Sequence, residues 1–210
     1  MRPAVLCAVE LFCFLALVPL LAVTMPDFAP RRVLLLAGCL YVIFRLRGKV
    51  EWRRLLARPS KVLLRGALGR GILVATVTFL YVYGFESEHL FEFPLRRPRL
   101  WLLIFFFYPL LSALPQEVIY RVYIFEAFEP LRRHPWVAFW ISAAAFGWVH
   151  VIYAGWFAVL TSAGIGLILA GVYQKHRGEP GLLTALLVEH SLYGLAVFTL
   201  GLGRYFYLAR

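Results

Sequence analysis

The chain has 210 residues, of which 62% are hydrophobic and only 16% charged. A soluble domain carries ~25% charged residues, so the composition argues against a soluble enzyme, a disordered chain or a disulfide scaffold. Six or seven membrane spans of ~20 residues each would use most of the length and leave no room for a second globular domain. The formal charge is +11, from 22 Lys+Arg against 11 Asp+Glu. The cations lie between apolar runs, where topology determinants and contacts with anionic lipid belong, which argues against a nucleic-acid partner.

In chain order, the first apolar run covers about residues 4–24, after Arg2, and is interrupted by Glu10. It is longer than the ~7–15 residues of a signal-peptide core and no small-x-small cleavage site follows, so it reads as a retained first span. A turn-rich connector at 25–30 leads to a short run at 33–44, whose flanking Arg31 and Arg45 are expected to snorkel. Residues 45–70 carry nine cations interleaved with Leu55, Leu56, Val62, Leu63 and Leu64, the pattern of a segment lying on the membrane surface against anionic lipid. Further spans are expected at 71–85, at 100–128 with a second helix starting at Pro115, and at 136–153, 156–173 and 181–202. The stretch Glu86–Arg99 reads as a polar loop. Cys7, Cys13 and Cys39 fall in apolar runs without metal-ligand spacing and read as small buried hydrophobes. The expected architecture is all-α: a polytopic transmembrane helical bundle of about seven spans. It is one membrane domain over 1–210, in which 1–99 supplies the N-terminal spans and the basic segment.

Alternation of the spans sets the topology. With the N-terminus inside, Arg2, the nine cations of 45–70, Arg132, Arg133, Lys175 and Arg177 lie inside, against Arg31, Arg32, Arg96, Arg97, Arg99, Arg204 and Arg210 outside. Cations collect on the cytoplasmic side, so the N-terminus is placed there. Short loops and small size suit a bacterial inner membrane.

A charge at the bilayer centre costs ~2.5–3.5 kcal/mol on insertion scales, so each ionisable residue within a span needs a reason. Glu10 and Glu126 lie near span ends, where snorkelling or capping accounts for them. The others fall in three clusters. Gln116, Glu117 and Arg121 follow Pro115, and Glu117 and Arg121 share a helix face at i,i+4. Phe146 and His150 have the same spacing, with Gly147 between them. Glu189, His190, Ser191, Tyr193 and Gly194 lie in the last span. Taken singly, the first is readable as a structural ion pair and either histidine as a hydrogen-bonded core residue. Together they place a carboxylate, an arginine and two histidines on three spans, which marks a functional centre. A carboxylate and a histidine can take a proton from a shared water, a second histidine can donate to a developing oxyanion, and Arg121 can orient Glu117. These parts suit hydrolysis of an amide within the membrane.

The three clusters resemble the CPBP family, the CAAX-protease and bacteriocin-processing intramembrane peptidases. Its motifs are E-E-x-x-x-R, F-x-x-x-H and H-x-x-x-N or H-x-x-x-D. They stand here as Gln116-Glu117-x-x-x-Arg121, Phe146-x-x-x-His150 and His190-x-x-x-Gly194, within about residues 100–203. The resemblance implies a glutamate-dependent endopeptidase that needs no metal or other cofactor. Glu117 and His150 would activate water, His190 would donate to the oxyanion and Arg121 would orient the carboxylate. The substrate would be a membrane-tethered peptide or protein: a prenyl-like tail, a bacteriocin leader or a C-terminal sorting anchor.

Two positions depart from the family pattern. Gln116 replaces the first glutamate, and an amide cannot accept a proton at neutral pH. Neighbouring helical residues point ~100° apart, so Glu117 does not simply inherit the face of Gln116. Gly194 replaces the third-motif asparagine, leaving Tyr193, Ser191 or Tyr120 to supply a hydroxyl. Glu117, His150 and His190 also form a two-histidine, one-carboxylate set for zinc, which the resemblance argues against. The rival functions are a scaffold or chaperone that keeps the fold without catalysis, and a proton or ion pathway through the same residues. Six Trp and eleven Tyr read as interfacial belts. Gly164, Gly166 and Gly171 read as close helix packing. The aromatic run Phe105–Tyr108 reads as facing lipid or a substrate groove, with lipid favoured.

Overall fold

The computed structural model describes residues 3–25, 28–153 and 155–206. Arg2 and Arg210 of the topology argument, and residues 26 and 27 of the first connector, lie outside the described residues, as does the Cys7 side chain. Among the described residues all regular structure is helical. Helix α1 covers 3–24, with a π segment at Cys13–Leu17. Helix α2 is Phe28–Arg45 and α3 is the short Trp52–Leu55. Helix α4 is Lys61–Phe85 and α5 is Glu92–Arg96. Helix α6 is Pro98–Glu126, with π segments at Pro109–Ala113 and Val118–Tyr123. Helices α7 (Glu129–Arg133), α8 (Pro135–Val149, extended by a 3-10 turn His150–Tyr153), α9 (Trp156–Lys175) and α10 (Leu182–Leu200) complete the chain.

Five of these helices are long and apolar enough to cross a membrane: α4, α6, α8 with its 3-10 turn, α9 and α10. The part of α1 at Ala8–Thr24 is a shorter apolar helix. Helix α2 contains Arg31, Arg32 and Arg45, which dilute an otherwise apolar run. The apolar runs expected at 4–24 and 33–44 are therefore helices, and the second extends beyond both expected ends.

Three local expectations are corrected. Residues 45–70 do not form one surface segment. Ser60 caps a helix by accepting from the Leu63 N–H at 3.2 Å, so α4 starts at Lys61 and carries Arg65 and Arg70 within it. Leu55 and Leu63 are buried, while Leu56 and Val62 are exposed. Pro115 does not start a new helix, because α6 runs through it without a break. Proline lacks the N–H for the i−4 carbonyl and its ring crowds that carbonyl. In both α1 and α6 a π segment ends two residues before a proline, Pro19 and Pro115, and its wider turn lets the helix pass. Arg31 and Arg45, expected to snorkel, are held by partners within the protein. Arg31 donates to the Met25 and Ile152 carbonyls, each at 3.1 Å, and Arg45 pairs with Glu10 at 3.2 Å.

The chain divides into two compact units, Met1–Glu51 with Pro115–His176, and Trp52–Leu114 with Arg177–Arg210. The first holds α1, α2, the second half of α6, and α7 to α9. Every residue from 115 to 125 is buried, so this half of α6 is enclosed on all sides. Glu10 is a hub rather than a snorkelling group. It accepts from Tyr41 at 2.7 Å and Tyr123 at 2.9 Å, and pairs with Arg45, so it ties α1, α2 and α6 together. Glu126 accepts from Tyr173 of α9 at 3.1 Å. Helices α8 and α9 touch at small residues. A Cβ on Gly147 would lie 2.7 Å from the Ala163 Cβ, and one on Gly166 would lie 2.9 Å from the Ala143 carbonyl oxygen. Gly164 has nothing within 4 Å and Gly171 only an ordinary contact, so of the three glycines read as packing points Gly166 alone is one.

The second unit is built on α4, the first half of α6, and α10. Gly71 lets α4 approach Leu192, whose Cδ1 would be 2.6 Å from a Cβ there. Trp101 of α6 donates to the Thr199 hydroxyl of α10 at 3.0 Å. Gly181 starts α10 at φ +77 with its N–H on the Arg54 carbonyl at 2.8 Å, and a Cβ would strike Pro59. Beyond the helix ends, Glu86 pairs with Arg204 at 2.6 Å and accepts from Tyr205 at 2.6 Å.

These contacts separate two glycines on one helix. Gly166→Val is expected to lower the thermal midpoint in detergent by overpacking, equivalent to ~1–3 kcal/mol. Gly164→Ala is expected not to lower it, since nothing meets its Cβ. Equal melting of the two variants would contradict the packing account.

Candidate active site

In the first unit the enclosed half of α6 presents Glu117 and Arg121, both with no exposed surface, and their side chains pair at 3.5 Å. Burial of a charge is costly unless it is answered locally. The Arg121 guanidinium lies over the Phe146 ring, 4.6 Å from its centroid, and faces the Ser142 hydroxyl at 3.4 Å. Ser142 in turn donates to the Tyr120 carbonyl at 2.6 Å, within the π segment of α6. Helix α8 therefore supports Arg121 with an aromatic face and a hydroxyl one turn apart, and sequence reasoning did not single out Ser142. Gln116 is buried beside Glu117, so enclosure of the whole segment removes the lipid-or-core choice between these neighbours. Tyr120 packs edge-on to Phe146 at 5.7 Å.

His150 sits where α8 tightens into a 3-10 turn, and its ring packs against Phe146 at 5.0 Å and Tyr153 at 5.8 Å. Its Nδ1 is 2.7 Å from the Phe146 carbonyl oxygen. A carbonyl only accepts, so Nδ1 carries the proton, and in the neutral ring Nε2 holds the lone pair. Phe146 thus supports Arg121 with its ring and sets the His150 tautomer with its carbonyl. The structure brings together Glu117, Arg121, Tyr120 and Phe146, and sets His150 on the same Phe146.

In the second unit Glu189 has no exposed surface and accepts from Arg70 through both oxygens, at 2.6 and 2.7 Å, and from Tyr193 at 2.5 Å. This bidentate pair fixes the rotation of α10 against α4. Sequence reasoning placed Arg70 among the surface cations and missed this role. The available signal was Ser60 as a helix cap, which puts Arg70 nearly three turns into a helix. His190, next to Glu189 and nearly buried, points around the helix to a T-shaped contact with the Tyr108 ring at 6.0 Å. Ser191 donates to its own helix, at the Leu187 carbonyl. Phe105, Phe106 and Phe107 are exposed, as expected of lipid-facing residues, but Tyr108 packs between His190 and Phe198. Tyr108 is the third residue whose role sequence reasoning missed, after Ser142 and Arg70. Its only signal was a hydroxyl at the end of a phenylalanine run.

Among the described residues no group of three or more His, Cys, Asp or Glu side chains is arranged to hold a metal ion.

The Arg70–Glu189 pair makes a definite prediction. Arg70→Met leaves a buried carboxylate without its cation and is expected to destabilise the protein by on the order of 3 kcal/mol. Adding Glu189→Gln is expected to recover most of that loss, because the uncompensated charge goes too. The two variants and Glu189→Gln alone, melted in detergent, give the double-mutant cycle.

Residues 98–196 match the family model for type II CAAX prenyl endopeptidase Rce1-like proteins. The match begins at the first residue of α6 and includes all three polar clusters. No curated protein and no solved structure matches the chain. The helical architecture of the described residues, five helices suited to crossing a membrane and this match make the chain an integral membrane protein whose residues 98–196 match an Rce1-like domain.

Proposed function

We propose that the protein is an intramembrane endopeptidase of the glutamate-dependent kind, cleaving a peptide bond in a membrane-tethered peptide or protein. The observation that carries the reading is the Glu117–Arg121 pair, fully buried at 3.5 Å in an apolar bundle and braced by Phe146 and Ser142. A bundle has little reason to enclose such a pair with dedicated support unless the carboxylate is used. The Nδ1–H tautomer of His150 supports the same reading, because it puts the lone pair of the neutral ring on Nε2, the form a base needs.

Glu117 and His150 take the role of activating water. The water oxygen bonds to the scissile carbonyl carbon, its proton goes to the base, and the carbonyl electron pair moves onto oxygen. His190, as an N–H donor, takes the role of stabilising that oxyanion. When the pair returns, the C–N bond breaks and the amine leaves with the proton. Arg121 orients Glu117 and does not itself react. Gln116 cannot act as base and serves as a neutral hydrogen-bonding neighbour. The reaction as written uses no metal, so product formation is expected to continue in excess chelator.

Membranes containing wild-type protein, a deletion, or Glu117→Gln at matched level test the reading by terminal-peptide mass spectrometry. A new peptide terminus is expected in the wild type alone. Loss of the base is expected to lower its formation by ~10²–10⁴-fold, and His150→Ala by a similar factor. The presence of Gln116 favours one second reading, a non-catalytic scaffold. Identical termini in all three membranes, together with a terminus that appears only in Gln116→Glu, would establish that reading instead.

A further inference from the structure

We infer that Arg31 is a positioning residue for His150, holding the turn on which that histidine sits; its bearing on turnover rests on the peptidase reading above. The starting point is a helix end. Helix α8 finishes in the 3-10 turn His150–Tyr153, of which His150 is the first residue. The last carbonyls of a helix have no partner within it, and a 3-10 turn has the poorer hydrogen-bond geometry, so such an end frays unless something outside holds it. The Ile152 carbonyl is held. Arg31 Nη1 donates to it at 3.1 Å, from a position 121 residues away in sequence. The same guanidinium donates to the Met25 carbonyl, just past the end of α1, through Nε at 3.1 Å and through Nη2.

One planar cation on α2 therefore joins the ends of α1 and α8, all within the first unit. The surroundings add to this hold. Val18–Thr24 of α1 packs against the His150–Tyr153 turn. Arg31 and Arg32 both interact electrostatically with Tyr153, whose ring packs on that of His150 at 5.8 Å. His150 is thus fixed on two sides. Upstream, its Nδ1 donates to the Phe146 carbonyl at 2.7 Å. Downstream, Arg31 pins the carbonyl two residues on. With the downstream end released, the turn can unwind and carry the ring away from the Phe146 carbonyl, which is what selects the Nδ1–H tautomer. Arginine suits the place because its rigid fork serves two acceptors at once, whereas a lysine ammonium is a point donor on a flexible stem. Arg31 lies outside residues 98–196, so this support comes from a part of the chain that the family model does not reach. Its effect on the reaction is exerted through His150.

The test uses full-length wild-type protein, Arg31→Met and Arg31→Lys. In detergent micelles at a pH where the ring is neutral, nitrogen NMR of histidine-labelled protein reads the tautomer, and His150→Gln identifies the signal by its loss. The wild type is expected to hold the Nδ1–H form and Arg31→Met to show a mixture of the two tautomers. In proteoliposomes, the substrate is a synthetic peptide spanning the bond that terminal mass spectrometry identifies. Arg31→Met is expected to lower kcat per folded molecule by ~10–100-fold with little change in KM, because a misplacement of about 1 Å costs on the order of 100-fold. Arg31→Lys is expected to fold and to show both changes in smaller measure, and it stands in for Arg31→Met should that variant not fold. A merely structural tie between α1 and α2 would lower the thermal midpoint and move neither reading. An unchanged His150 signal, or an unchanged kcat, in the folded variants would overturn this inference and leave the peptidase reading intact. A wild type that forms no product, with a His150 signal that still shifts in the variants, would overturn the peptidase reading and leave Arg31 as the residue that positions His150.

Discussion

The structure depends on how carboxylates are kept inside an apolar bundle. Glu10, Glu117 and Glu189 are each answered by an arginine, Glu10 and Glu189 by tyrosine hydroxyls as well, and Glu126 accepts from Tyr173. Glu10 has Arg45 with Tyr41 and Tyr123, and Glu189 has Arg70 with Tyr193. Glu86, outside the long helices, has Arg204 with Tyr205. The guanidinium supplies the countercharge, and the phenol supplies a donor that is itself comfortable among apolar side chains. In these three cases the arginine comes from a different segment of the chain. The pairs therefore act as ties: Glu10 links α1, α2 and α6 within the first unit, and Glu189 links α10 to α4 within the second.

Glu117 departs from this pattern. Its arginine is on its own helix, four residues on, and the 3.5 Å separation is longer than the 3.2 Å of Arg45–Glu10 and the 2.6 Å of Arg70–Glu189. Such a pair ties nothing together. The support it receives from α8 goes to the arginine, through Phe146 and Ser142. Glu189 is held bidentately from another helix, whereas Glu117 is paired within its own helix and supported through its arginine.

Local signals were legible in the sequence, and long-range pairings were not. Pro115-Gln116-Glu117, Phe146-x-x-x-His150 and Glu189-His190 stand out because ionisable residues are rare in apolar runs, and their helical spacing follows from 3.6 residues per turn. The long helices follow from hydropathy. What could not be read is which cation answers which carboxylate. Arg70 and Glu189 are 119 positions apart, and Arg45 and Glu10 are 35 apart. No periodicity encodes such a pairing, so Arg70 looked like one more topology cation and Glu10 like a snorkelling group. The continuous α6 was hidden for a different reason. Proline is normally a helix boundary, and only a π segment just upstream removes that conflict.

Gly194 shows how a motif can look broken when read along one strand of sequence. A hydrogen-bonding group at a helix face need not come from that helix. Tyr108 arrives at the same space from α6, and the two positions constrain each other sterically: a side chain at 194 excludes the phenol, and the phenol excludes a side chain at 194. A side chain at 194 therefore needs the ring at 108 to move aside or be absent. The departure at Gln116 has no such steric account. Its neighbour Glu117 is the carboxylate of that segment, and in the peptidase reading it is the base.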